Sequence, residues 1–149
     1  MAEKVSDETK KDPWDAVRGL PTGQSRIMHT MLRTKDIDRA VKFYSEAFGM
    51  RLVIGGIKSE STRVSAAFIG YKGLDEGGTL IELADFWDEE GPYTHGTAYG
   101  HVALGMADLE ETIKKLEAMG VEVDRHATGS VWVKDPDGYQ IELLQARKA

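Results

Sequence analysis

Four side chains able to hold a divalent cation stand at matched positions in this sequence: His29, Glu82, His101 and Glu142. The chain repeats itself around them. His29-Thr30-Met31-Leu32 parallels His101-Val102-Ala103-Leu104, and an aspartate, Asp36 or Asp108, follows each histidine by seven residues. Each half closes on the same tripeptide, Ile81-Glu82-Leu83 and Ile141-Glu142-Leu143. A lone glutamate on an alternating strand usually belongs to the wet face, and a lone strand histidine is usually a satisfied structural residue. Two of each at equivalent places in a duplicated unit read instead as a ligand set. Two imidazoles and two carboxylates suit a borderline divalent cation, with positions left open for water or substrate. The chain has no cysteine, so thiolate nucleophiles, disulfides, iron–sulfur clusters and cysteine-type zinc sites are excluded, and any metal must rest on His, Asp and Glu.

The elements that must position these residues are legible in both halves. A strand carries each histidine, over residues 26–33 and 99–106. Asp36 and Asp108 then stand where a helix N-cap belongs, able to accept from unpaired N–H groups of the first turn. Ile37, Ala40, Val41, Tyr44, Ala47 and Phe48 share one face of the first predicted helix. Leu109, Ile113, Leu116 and Met119 do so in the second, and Gly49 and Gly120 are placed to end the helices in left-handed conformation. Three strands follow in each half, over residues 50–57, 63–71 and 79–86, then 121–125, 130–134 and 139–145. Asp135-Pro136-Asp137-Gly138 reads as the hairpin turn joining the last two. His29 and Glu82 are 53 residues apart and His101 and Glu142 are 41 apart, so the second half is shorter in its loops. The predicted fold class is therefore α+β, two tandem βαβββ modules over residues 24–88 and 97–146. An acidic linker over 88–96 joins them, and a flexible N-terminal arm over 1–23, with a turn near Trp14 to Arg18, precedes them.

Bulk properties narrow the partners. With 149 residues, 41% of them hydrophobic, the chain suits one shared core. A net charge of −6, spread along the chain, argues against nucleic acid. No apolar run approaches the roughly 20 residues needed to span a bilayer, and the polar first dozen residues lack the apolar core of a secretory signal. A soluble, cytoplasmic protein with no membrane partner is expected.

Several segments resemble glyoxalase I, of the vicinal-oxygen-chelate superfamily. They are His29-Thr30-Met31-Leu32-Arg33 with Asp36 and Phe43-Tyr44, Phe68-Ile69-Gly70-Tyr71, Ile81-Glu82-Leu83, and Gly96-Thr97-Ala98-Tyr99-Gly100-His101. Val133-Lys134-Asp135-Pro136-Asp137-Gly138-Tyr139 with Ile141-Glu142-Leu143 completes the set. The likeness runs from Arg26 to Gln145. It implies paired βαβββ modules with one His and one Glu ligand from each, His29, Glu82, His101 and Glu142. It further implies a homodimer with composite active sites, His29 and Glu82 of one subunit facing His101 and Glu142 of the other. A histidine at the first ligand position, with no long insertion between Gly73 and Thr79, resembles the class activated by Ni2+ or Co2+ rather than Zn2+. The implied activity is that of a lyase that isomerises the hemithioacetal of glutathione and a 2-oxoaldehyde such as methylglyoxal to an S-2-hydroxyacylglutathione, through an enediolate. Glu142 is then the main base, Glu82 its partner and Arg33 a substrate-binding residue.

The likeness fails in places. Phe86 stands where the family commonly has an asparagine that contacts glutathione, and residues 125–130 lack a lysine often found there. His95 and His126 match no ligand position and read as surface loop residues. Trp87 and Trp132 could wall an apolar pocket or pack at an interface. Three other activities share the fold. An acyl-thioester epimerase also needs metal, enolate and proton transfer. An extradiol dioxygenase uses three protein ligands rather than four, and a metal-free binding protein has no need of the quartet.

Overall fold

The carboxylate of Asp36 accepts from the Arg39 N–H at 2.9 Å and starts α1 (Ile37–Phe48). In the second half Asp108 accepts from the Glu111 N–H at 3.0 Å and starts α2 (Leu109–Ala118). Gly49, at φ 71°, closes α1 in the left-handed conformation that a side chain would resist. The computed structural model describes residues 12–18, 23 and 25–148. The predicted arm over residues 1–23 therefore lies largely outside the described residues.

The first module adds β1 (His29–Arg33), β2 (Arg51–Ser59), β3 (Val64–Gly70) and β4 (Leu80–Phe86), ordered β1-β4-β3-β2. The second adds β5 (Val102–Met106), β6 (Asp124–Arg125), β7 (Val131–Lys134) and β8 (Gln140–Gln145), ordered β5-β8-β7-β6. In both, the first strand runs parallel to the last and the other pairs are antiparallel. The fold is α+β, with two copies of βαβββ.

Boundaries differ where side chains intervene. β1 begins at His29 rather than near residue 26, where the Arg26 guanidinium takes the carbonyls of Gly78, at 2.7 Å, and Leu74. His101 lies one residue before β5. β6 is only two residues long, and Val121 and Val123 reach the core from irregular backbone. Phe43 joins the buried face of α1, while Met119 is exposed and Thr112 takes part in the buried face of α2.

The helix-facing side chains of both sheets share one core. Ile69, Ile81 and Leu83 of the first sheet meet Val131, Val133, Ile141 and Leu143 of the second, with Tyr44, Phe48, Ile113 and Leu116 from the helices. Each large side chain buried there is worth about 1.5–3 kcal/mol relative to exposure. The seam between modules is also polar. Tyr44 donates its hydroxyl proton to Asp135 at 2.8 Å, and Arg39 pairs with Asp137 at 2.8 Å. Residues 135–139 thus do more than turn a hairpin: they clasp the first module.

A second apolar cluster lies on the opposite face of the first sheet. Ile57, Ala66, Phe68, Leu74 and Leu80 are joined there by Val17, with Trp14 packed against them. The described part of the predicted arm is therefore seated, with a short 3-10 turn over Pro13–Ala16.

Candidate metal centre

Strand alternation puts His29, Met31 and Arg33 on one face of β1, opposite Leu32, which enters the core. Glu82 faces the same way from β4, because its neighbours Ile81 and Leu83 are in the core. Met31 is the register partner of Glu82, so His29 lies two residues up the sheet, and its Nε2 stands 3.2 Å from Glu82 Oε2. The second module repeats this geometry. Ala103 is the partner of Glu142, and His101, two residues earlier, brings its Nε2 to 3.1 Å from Glu142 Oε2.

The repeat includes a third member that sequence comparison missed. Phe68 pairs with Glu82 and meets the His29 ring edge-on at 5.2 Å. Trp132 pairs with Glu142 and meets the His101 ring edge-on at 4.6 Å. Phe68 and Trp132 share no residue identity and sit at different distances from their glutamates along the chain. Only the pairing of each hairpin reveals them as equivalents. Each aromatic edge limits the ring orientations open to its histidine.

The two pairs differ in burial. The Glu82 side chain is 5% exposed and that of Glu142 is 20% exposed. Burial pushes the Glu82 carboxyl above the usual carboxylate range, and the His29 ring opposes that shift. Among the described residues His29 is the one basic group within 4 Å of Glu82. A buried carboxylate with so little compensation, beside an imidazole nitrogen, is a donor pair that suits a cation. Within one chain the pairs remain apart: among the described residues no three His, Asp or Glu side chains converge. Each module supplies one His–Glu pair.

Arg33 shares a strand face with His29 and is already engaged. Its guanidinium carbon lies 4.1 Å from the centre of the Phe86 ring, and Nη1 donates to Glu89 at 2.6 Å. Lys35 holds the loop that brings Glu89 there, donating to the carbonyls of Phe86 and Glu89 at 2.9 and 2.8 Å. His95, expected as a surface loop residue, is half-buried and stacks on Tyr139 at 4.2 Å with the rings nearly parallel. His126 is exposed and pairs with Asp124 at 3.0 Å. Neither reaches a His–Glu pair. Trp87 donates its indole N–H to Ser65 at 2.8 Å and lies under Arg63. A cavity of about 400 Å³ opens beside Trp132, Gln140 and Lys134.

Residues 26–143 match the model of the glyoxalase/bleomycin resistance protein/dioxygenase superfamily. The lactoylglutathione lyase of Haemophilus influenzae is 41% identical over 127 residues, which cover 80% of this chain and 92% of that protein. The trypanothione-dependent glyoxalase I of Leishmania major superimposes with a TM-score of 0.73 at 35% identity, covering 82% of this chain and 87% of that one. Maize glyoxalase I also gives a TM-score of 0.73, at 27% identity over 83% of this chain. This chain covers 46% of the maize one, about half its length. The matched span takes in both sheets and both His–Glu pairs, and on that ground the chain belongs to the glyoxalase/bleomycin resistance protein/dioxygenase superfamily.

Proposed function

We propose that this protein is a metal-dependent lactoylglutathione lyase that converts the hemithioacetal of a 2-oxoaldehyde and glutathione into an S-2-hydroxyacylglutathione. The observation that carries the reading is the duplicated His–Glu pair, with the same strand offset and nearly the same Nε2–Oε2 separation in each module. Relatives that bear the lyase name support it.

The reaction is a proton shift with no net oxidation. The carbon beside sulfur loses a proton, the adjacent carbon gains one, and the hemithioacetal becomes a thioester. Glu142, the more accessible carboxylate, takes that proton and returns it; Glu82 is its partner. A divalent cation held by His29, Glu82, His101 and Glu142 supplies Lewis acidity that makes the carbon acid strong enough for a carboxylate base. The edge-on rings of Phe68 and Trp132 keep both imidazoles aimed, and their apolar bulk limits water beside the reacting carbons.

The four donors meet when two chains pair, His29 and Glu82 of one with His101 and Glu142 of the other. Half-site separation within one chain supports this, as does the double length of the maize relative. The exposed Met31 and Leu144 side chains suit an interface. By family resemblance Ni2+ or Co2+ activates better than Zn2+. No helix among the described residues is long and apolar enough to cross a membrane. A cytoplasmic site of action fits a glutathione substrate.

The test follows thioester formation in the ultraviolet from methylglyoxal, with and without glutathione, in metal-stripped and metal-restored protein. Thioester forms only with thiol and metal together, and Glu142→Gln abolishes turnover while metal is partly retained. Full activity in stripped protein overturns the metal assignment. Inactivity with glutathione, alongside intact metal binding, moves the reading to another thiol carrier or to an acyl-thioester epimerase.

A further inference from the structure

The two modules differ in what stands beside the His–Glu pair. Two residues before the glutamate stands Leu80 in the first module, 1% exposed, and Gln140 in the second, which is exposed. Two residues after the edge-on aromatic stands Gly70 in the first and Lys134 in the second, also exposed. Gln140 and Lys134 are register partners, so the second sheet carries a polar pair where the first has leucine and glycine.

Strand parity puts this polar pair on the site face. Lys134 faces the same way as Trp132, and Gln140 the same way as Glu142. His101, continued from the Val102–Ile141 register, falls beside Gln140. His101, Gln140 and Lys134 thus form one row across the strands, next to the row of Glu142 and Trp132. Adjacent strands lie about 4.8 Å apart, so the Lys134 backbone is about 10 Å from that of His101. The cavity of about 400 Å³ is lined by Trp132, Lys134 and Gln140, and the same Trp132 ring meets the His101 ring edge-on. That volume falls within the range of small-molecule sites, about 300–1,000 Å³.

Lys134 is available to a ligand. Arg33, Lys35, Arg39, Arg63 and Arg125 are each held by a carboxylate, whereas among the described residues none lies within 4 Å of the Lys134 ammonium. Of the two acidic residues lining the cavity, Asp124 is taken up by His126, and Glu122 is exposed.

We propose that Lys134 and Gln140 bind a terminal carboxylate of glutathione in this cavity, beside His101 and Glu142. Glutathione carries two carboxylates, and Arg33 answers only one. An extended tripeptide is about 10 Å long, so with its sulfur at the His–Glu pair an end reaches the depth of Lys134. The ammonium supplies charge and the Gln140 amide a hydrogen-bond donor. The glycyl and γ-glutamyl ends share this chemistry; the second also brings an ammonium, for which Glu122 lines the same cavity. This inference rests on the lyase reading above.

The experiment measures kcat and KM for the methylglyoxal hemithioacetals of glutathione and of its glycyl ethyl ester. It uses metal-restored wild type, Lys134→Ala and Lys134→Arg, with metal content determined in each. With glutathione, Lys134→Ala should raise KM by about tenfold, the loss falling on KM rather than kcat, and Lys134→Arg should keep most of the affinity. With the ester, a vanished Lys134→Ala effect assigns the glycyl carboxylate, and a persistent one the γ-glutamyl carboxylate. A KM unmoved by Lys134→Ala overturns the subsite and leaves the lyase reading intact. So does a KM raised equally by Lys134→Arg, or a loss confined to kcat. A wild type that turns over neither hemithioacetal overturns the lyase reading and the subsite with it.

Discussion

The Tyr139 hydroxyl sits between the backbone groups of Arg33, donating to the carbonyl at 3.0 Å and accepting from the N–H at 3.1 Å. These bonds reach from the second module to the end of the strand that carries His29. Tyr139→Phe leaves both Arg33 groups unpaired in a half-buried seam at a cost of about 1–3 kcal/mol. Thermal unfolding should shift down by about 2–4 °C for each kcal/mol lost. An unshifted midpoint would show that the seam does not depend on this hydroxyl.

Asp135 gives the seam a pH dependence. Burial pushes its carboxyl up, against the donors Tyr44, Tyr139 N–H and Asp137 N–H that pull it down. Its folded proton affinity then exceeds that of the unfolded chain, where aspartate titrates near about 3.9. Stability from this group is complete below that pH and is lost as pH rises through the folded value. Asp135→Asn removes the titration and keeps an oxygen for the two backbone donors. As pH rises above about 4, the urea midpoint of the wild type should fall relative to that of the variant. A constant gap across that range rules out Asp135 as the source. Exposed Asp88 and Glu110, held down by their arginine partners, act in the opposite sense but equally in both proteins.

The proposed composite sites make a sharp mixing prediction. His29→Ala and His101→Ala chains should each be inactive alone. After subunit exchange, one site of each heterodimer draws both intact histidines, so random mixing restores about a quarter of wild-type activity. No recovery despite proven exchange would mean that each site is built within one chain.

Glu89 occupies the guanidinium that the proposed substrate carboxylate needs. The Arg33–Glu89 pair is nearly half exposed on both sides, so displacing it costs little. Glu89→Gln should lower KM for the glutathione hemithioacetal by about threefold, and Arg33→Ala should raise it by about tenfold or more. Phe86→Asn exchanges ring support under Arg33 for an amide that can bind substrate, and should raise kcat/KM. Steady-state kinetics on the three variants read all of this; a KM indifferent to Glu89 and Arg33 together removes Arg33 from the substrate site.

The two His–Glu pairs were legible because duplication printed them twice: one pair is ambiguous, but two at matched positions mark a repeat. Asp36, Asp108 and the glycine-closed turns were legible because caps and turns are local chemistry. Phe68 and Trp132 were not, since their equivalence lives in cross-strand register. Nor could the sequence announce that Asp135 and Tyr139 reach Tyr44 and Arg33, partners 91 and 106 residues away. The seating of residues 12–18 was hidden by polar neighbours, although Trp14 and Val17, three apart, carried the signal. Glu82 and Glu142 look alike in sequence, and only packing makes one buried and the other accessible.

Of the three tryptophans, Trp14 and Trp87 lie with the first module, and only Trp132 touches one of the two glutamate-paired histidines. The second half-site therefore carries its own optical reporter. Nickel and cobalt quench indole emission through their partly filled d shells, whereas zinc, with a closed shell, leaves it bright. Loading and identity of the proposed metal should thus be readable in the unlabelled protein, at the half-site whose fluorophore lies in contact with its imidazole.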